Sequence, residues 1–139
     1  MPIDGPVFVD TSAFVAVMDA SDRFHQAAAE TWKGLVEDGH ELVTSNYVVV
    51  ETCALLQRRM GMEALRFFCG TIYPELQILW VEEQLHNAAM EALLASGRRG
   101  LSLVDCASFA IMRKRGLEVA FCFDTHFAEQ GFRVIPGSR

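Results

Sequence analysis

Short apolar runs recur along the chain, and most are followed by a stretch whose apolar residues return every three or four positions. Val7-Phe8-Val9 is the first run and predicts a buried strand ending at Asp10. An apolar helix is expected over 13–18, with Thr11 and Ser12 as candidate caps. Ser21 is expected to cap a second helix over about 22–38, which Gly39 ends. Leu42-Val43-Thr44 predicts a second strand, and Ser45 or Asn46 opens a helix to Arg59 that Gly61 breaks. Helical character follows from Met62 to about Gly70, closed by Pro74.

The second half repeats the pattern. Residues 76–80 alternate enough for a third strand, and 82–95 for a helix stopped by Ser96-Gly97. Ser102 caps a helix over 103–115, with Gly116 at its end. Residues 119–123 form a fourth strand, 125–130 a helical turn and 132–135 a fifth strand before Pro136. Strands alternating with helices predict an α/β protein whose parallel sheet is covered on both faces. No linker or repeat divides residues 1–139, so a single domain is expected at this length.

Composition narrows the class. Hydrophobic residues make up 51% and charged residues 22%, which excludes a disordered chain. Twelve basic against 18 acidic residues give a net charge of −6, which argues against holding nucleic acid by bulk positive charge. Cys53, Cys69, Cys106 and Cys122 form no C-x-x-C pair and sit in apolar sequence, as buried reduced thiols of a cytoplasmic protein would. No basic segment followed by an apolar stretch opens the chain, so no signal peptide is expected. The longest uncharged run is nine residues, against about 20 for a spanning helix, so no membrane crossing is expected.

Four acids stand in unusual places. Asp10 and Asp124 end the first and fourth apolar runs, where open parallel sheets bind ligands. Glu51 has Tyr47, Val48, Ala54 and Leu55 as its helical neighbours, so it either reaches solvent or binds something. Asp105 fits a capping box with Ser102, which does not exclude a role at the helix N-terminus. Converging carboxylates repel one another unless a cation is present. Oxygen donors of this kind suit Mg²⁺ or Mn²⁺ rather than zinc, and such ions serve phosphoryl chemistry.

Four segments carry a resemblance to PIN-domain ribonucleases, most of all the VapC toxins of prokaryotic toxin–antitoxin pairs. They are Val7-Phe8-Val9-Asp10-Thr11-Ser12-Ala13, the stretch from Ser45 to Thr52, the stretch from Leu101 to Ala110, and Phe121-Cys122-Phe123-Asp124-Thr125-His126-Phe127. Their order and spacing match along nearly the whole chain. The resemblance implies a three-layer α/β/α fold with a central five-stranded parallel sheet. It puts the metal-binding, catalytic acids on Asp10, Glu51, Asp105 and Asp124. It also implies Mg²⁺- or Mn²⁺-dependent endonucleolytic cleavage of RNA leaving a 5′-phosphate and a 3′-hydroxyl, a cognate antitoxin that occupies the site, and a homodimer. The stretch 61–96 matches only in helical character, and the fourth acidic position is the family's most variable.

Thr11 and Ser12 are candidates to position the substrate phosphate or a metal water, with helix capping as the plainer role. His126 follows the motif and reads as structural. Arg58-Arg59, Arg98-Arg99 and Arg113-Lys114-Arg115 stand near helix ends, as charges favoured there or as phosphate contacts. Phe14, Phe24, Trp32, Phe67, Phe68 and Trp80 read as core or interface before base-stacking platforms. Rival classes fit less well. A haloacid-dehalogenase-type phosphatase needs a D-x-D pair, which Asp10-Thr11-Ser12 lacks, and a phospho-receiver domain needs a later Lys than Lys114. A non-cleaving PIN-like binding module would not be expected to keep all four acids. Those acids account for four of the six excess negative charges, so the −6 reads as a metal site rather than as a bar to RNA.

Overall fold

The computed structural model describes residues 2–137. The elements run β1 (Val7–Val9), α1 (Thr11–Met18), α2 (His25–Glu37), β2 (Leu42–Ser45), α3 (Asn46–Met60), α4 (Met62–Phe67), β3 (Gln77–Leu79), α5 (Glu83–Ser96), α6 (Leu103–Arg115), β4 (Val119–Phe121), α7 (His126–Glu129) and β5 (Arg133–Ile135). All strand pairs are parallel and the order is β3-β2-β1-β4-β5. The expected five-stranded parallel sheet flanked by helices is therefore present.

That order has a consequence for the site. The chain builds outward from β1 through β2 to β3, then returns to add β4 and β5 on the other side. The reversal lies between β1 and β4, and crevices at such switch points are where open α/β sheets hold ligands. β1 is the central strand, with Val7, Phe8 and Val9 wholly buried. Phe8 meets Phe127 of α7, and Phe127 packs edge-on against Phe109 of α6 at 5.0 Å between ring centroids. Phe14 of α1 is edge-on to Phe68 at 5.3 Å. These aromatic contacts bind both the first and the last helices to the core.

Several boundaries differ from the sequence expectation by a residue or more, and three of them have a clear local reason. The second helix starts at His25, not near Asp22. The Ser21 hydroxyl is donated to Asp19 at 2.7 Å, and Asp22 accepts the Phe24 N–H at 2.8 Å, so turns take the groups meant for a cap. Helical structure passes Gly70 through a π-turn over Phe68–Ile72 and, where Pro74 brings no N–H, gives way to a 3₁₀ turn over Tyr73–Glu75. β4 ends at Phe121 rather than 123. The Cys122 N–H still reaches the Ile135 carbonyl, but the Phe123 N–H is taken by the Ser12 hydroxyl at 3.0 Å, and the chain turns away.

Candidate active site

Asp10 follows β1 directly. Its N–H donates to the Phe121 carbonyl at 3.0 Å, which extends the β1–β4 pairing by one bond. It also caps α1, accepting the Ser12 N–H at 3.2 Å and the Ser12 hydroxyl at 2.7 Å on the same oxygen, Oδ2. The cap expected from Thr11 or Ser12 is thus supplied by Asp10. The Ser12 hydroxyl gives its one hydrogen to Asp10 and accepts the Phe123 N–H. The Thr11 hydroxyl is buried and has no hydrogen-bond partner among the described residues.

Asp105 reaches the same edge by a different route. α6 feeds β4, so it runs against the strand direction and its N-terminus lies at the strands' carboxyl edge. The capping box read from the sequence is present: Asp105 Oδ2 accepts the Ser102 N–H, and the Ser102 hydroxyl accepts the Asp105 N–H, both at 3.1 Å. Asp124 lies in the turn between β4 and α7, where its Oδ1 accepts the His126 N–H at 2.7 Å. One ligand atom each from Asp105, Asp124 and His126 lies within 4.8 Å of the others.

The three aspartates share a pattern. Each commits one oxygen to a nearby backbone or hydroxyl group, while Asp10 Oδ1, Asp105 Oδ1 and Asp124 Oδ2 have no hydrogen-bond partner among the described residues. The carboxylates are oriented by the fold and left with coordinating capacity. Burial pushes the Asp10 carboxyl up to about 7, the Ser12 bonds oppose the rise, and the charges of Asp105 and Asp124 add to it. Asp105 is raised as well, first by burial and then by Asp124, against its bonds to Ser102. Burial also raises the Cys122 thiol, with Asp10 nearby adding to it. Oxygen donors that repel one another in a half-dry crevice fit a hard divalent cation.

Glu51 stands apart from this group. It is half-buried in the second turn of α3 and makes no hydrogen bond or ion pair among the described residues. α3 packs against α1 and α6, the helices that follow Asp10 and carry Asp105. Sequence reading missed the ring of groups around His126. Its Nδ1 lies 3.0 Å from Glu129 and its Nε2 3.1 Å from the Gly100 carbonyl, while Arg98 reaches Glu129 at 3.2 Å. The Glu129 carboxylate holds the imidazole above its ordinary range. The only sequence sign of this was the spacing of three between His126 and Glu129. Phe24 stacks on Phe123 at 4.7 Å beside a cavity of about 690 Å³ that also touches Asp124, whereas Trp80 and Phe67 are exposed.

A parallel sheet with carboxylates gathered at its switch point is the architecture of a metal-dependent phosphoryl-transfer enzyme, and the chain belongs to the PIN-domain family, whose model matches residues 7–133. It is 35% identical over 127 residues to the 23S rRNA-specific endonuclease VapC20 of Mycobacterium tuberculosis, covering 91% of this chain and 95% of that one. The crystal structure of VapC20, described as a sarcin–ricin loop cleaving toxin, aligns with a TM-score of 0.77 at the same coverage. FitAcB from Neisseria gonorrhoeae shares the fold at 14% identity, with a TM-score of 0.68 over 92% of this chain and 95% of that one. The VapC-type resemblance carried by the four segments is borne out. Among the described residues no helix is long and apolar enough to cross a membrane.

Proposed function

We propose that this protein is a divalent-metal-dependent endoribonuclease and the toxin of a type II toxin–antitoxin pair. The observation that carries the reading is the set of three aspartates, each tethered through one oxygen and unpartnered on the other, at the β1–β4 switch point. Asp10, Asp105 and Asp124 would hold Mg²⁺ or Mn²⁺, with Glu51 reaching in from α3. A cation held there supplies Lewis-acid neutralisation of phosphodiester oxygens.

The protein's own groups prepare that chemistry. Ser12 fixes the Asp10 carboxylate and ties it to the turn that carries Asp124. Burial and its acidic neighbours favour the protonated form of Asp10, and a cation held between the carboxylates would favour the ionised one. Of the two candidates for positioning a substrate phosphate or a metal water, Ser12 acts through the Asp10 carboxylate it orients, and Thr11 carries a buried hydroxyl whose hydrogen no described residue accepts. The Arg98 guanidinium beside Glu129 and His126 places positive charge at the rim, suited to an RNA backbone.

The reaction is hydrolysis of an RNA phosphodiester to a 5′-phosphate and a 3′-hydroxyl. The first RNA to test is 23S rRNA, because the relative at 35% identity is described as specific for it. A cognate antitoxin is the expected partner, and the apolar groove of about 1050 Å³ bordered by Trp32, Val36, Met60 and Phe67 offers a surface for a protein segment. A homodimer in the cytoplasm completes the reading, and four unpaired cysteines agree with a reducing compartment.

Purified protein should cut 23S rRNA at one or a few sites in Mg²⁺ or Mn²⁺, as read by end mapping. EDTA and the D105N substitution should each stop the cut. Cleavage that survives chelation sinks the metal-dependent reading. Binding of RNA with no cleavage in either metal favours a non-cleaving module.

A further inference from the structure

We infer that His126 is a positioning residue, which ties the Asp124 turn to the loop entering α6 and so sets the spacing between Asp105 and Asp124. The inference rests on the metal-dependent reading above. The ring lies close enough to both acids to be taken for a ligand. Its nitrogens are otherwise engaged. Nδ1 is 3.0 Å from Glu129 Oε1 and Nε2 is 3.1 Å from the Gly100 oxygen. A carboxylate and a carbonyl only accept, so a ring nitrogen bonds either of them through its N–H, and both nitrogens are turned towards protein oxygens of Glu129 and Gly100 rather than towards a cation.

Chain connectivity gives the tie its effect. Gly100 stands two residues before Ser102, and Ser102 and Asp105 hold each other through the capping box. The backbone N–H of His126 is donated to Asp124 Oδ1 at 2.7 Å. One residue thus grips the approach to Asp105 with its ring and the Asp124 carboxylate with its backbone. Residues that orient metal-binding groups in this way influence affinity without touching the ion.

A second link runs alongside. Arg98 shares the loop with Gly100 and reaches Glu129 Oε1 at 3.2 Å. Its Nη2 is also 3.4 Å from His126 Nδ1, but a guanidinium can only donate, so the two shorter contacts to Glu129 decide the pattern. The Arg98 and Glu129 side chains are 46% and 47% exposed, against 17% for His126. The outer ion pair is screened by water, and the sheltered imidazole carries the tie.

The test uses the whole chain and two substitutions. H126F keeps an aromatic ring and removes both ring nitrogens. H126Q keeps an amide able to donate to the Gly100 carbonyl. In the metal-free protein, amide hydrogen exchange over 99–102 should be about tenfold faster in H126F and close to normal in H126Q. Mn²⁺ affinity, measured by calorimetry, should fall roughly 10–100-fold in H126F and recover in part in H126Q. Cleavage should lose kcat with little change in KM. Mn²⁺ bound to the wild-type protein should show no directly coupled nitrogen by electron paramagnetic resonance. A folded H126F that binds Mn²⁺ as tightly as the wild type overturns the inference, and so does a coupled nitrogen that disappears in H126F. If the wild type cleaves no RNA while H126F still weakens Mn²⁺ binding and frees the loop, the nuclease reading fails and the positioning role stands.

Discussion

Ser12 donates its hydroxyl to Asp10 over 2.7 Å, and the same oxygen accepts the Phe123 N–H across the β1–β4 crevice. One small side chain therefore orients the most buried of the three aspartates and turns the chain that carries Asp124. Removing it leaves a buried carboxylate with one bond fewer and a backbone N–H without its partner. S12A should lose about 1–3 kcal/mol of stability in chemical denaturation. Its Mn²⁺ affinity should fall as well, because the Asp10 carboxylate is no longer held. Wild-type stability together with wild-type Mn²⁺ affinity in S12A would show that the bridge orients nothing.

Asp10 makes stability depend on pH. Its carboxyl stands at about 7 in the fold against 3.8 unfolded. The folded state binds the proton more tightly, so this contribution is full below pH 3.8 and is lost as pH rises through about 7. The raised Asp105 and His126 act in the same direction. In EDTA the wild-type protein should be less stable at pH 8 than at pH 5. D10N should remove about 2–3 kcal/mol of that difference, since about two pKa units lie between pH 5 and the folded value, at 1.36 kcal/mol per unit. D10N should therefore be the more stable protein at pH 8 in EDTA while cleaving no RNA. Added Mg²⁺ should stabilise the wild type and not the variant. Equal pH slopes for the two proteins in EDTA would contradict this account.

The sheet and its carboxylate edge were legible because they depend on local pattern. Apolar runs of three or four residues mark the strands, and Asp10 is the first polar residue after one of them. Ser102 and Asp105 signal their mutual capping by a spacing of three, which any helix start would use. The bridge from Ser12 to Phe123 spans 111 positions and exists only because β1 and β4 are neighbours. For that reason the sequence could not show that β4 stops at Phe121, or that Ser12 is committed and Thr11 is not. The π-turn through Gly70 was hidden in the same way, since glycine usually argues against helix and Phe68 is held by its contact with Phe14. Of the partners of His126, Glu129 stands three residues on in α7, whereas Gly100 lies in the turn before α6 and no periodicity joins it to the ring.

Glu51 offers a contrast with Asp10. It is half-buried, with no hydrogen bond or ion pair to lose among the described residues. E51Q should keep its folding stability within about 0.5 kcal/mol of wild type in EDTA. RNA cleavage should still fall at least tenfold if, as proposed, a bound cation draws Glu51 in from α3. E51Q with full activity removes Glu51 from the site and leaves the three aspartates as its acids.

Asp105 serves two roles that a pair of substitutions separates. Its Oδ2 closes the capping box with the Ser102 N–H, while Oδ1 is left for a cation. D105N and D105A both remove the charge, so both should abolish cleavage and both relieve the crowding around Asp10. Only D105N keeps an oxygen that can accept the Ser102 N–H. Comparing the two neutral variants cancels the charge effect and leaves the cap. D105A should be less stable than D105N by about 0.5–2 kcal/mol, the usual range for losing a capping side chain. Equal stability of the two would mean that the box contributes nothing to α6. Cleavage by D105N would mean that a neutral acceptor suffices and that the charge at Oδ1 is not what the reaction needs.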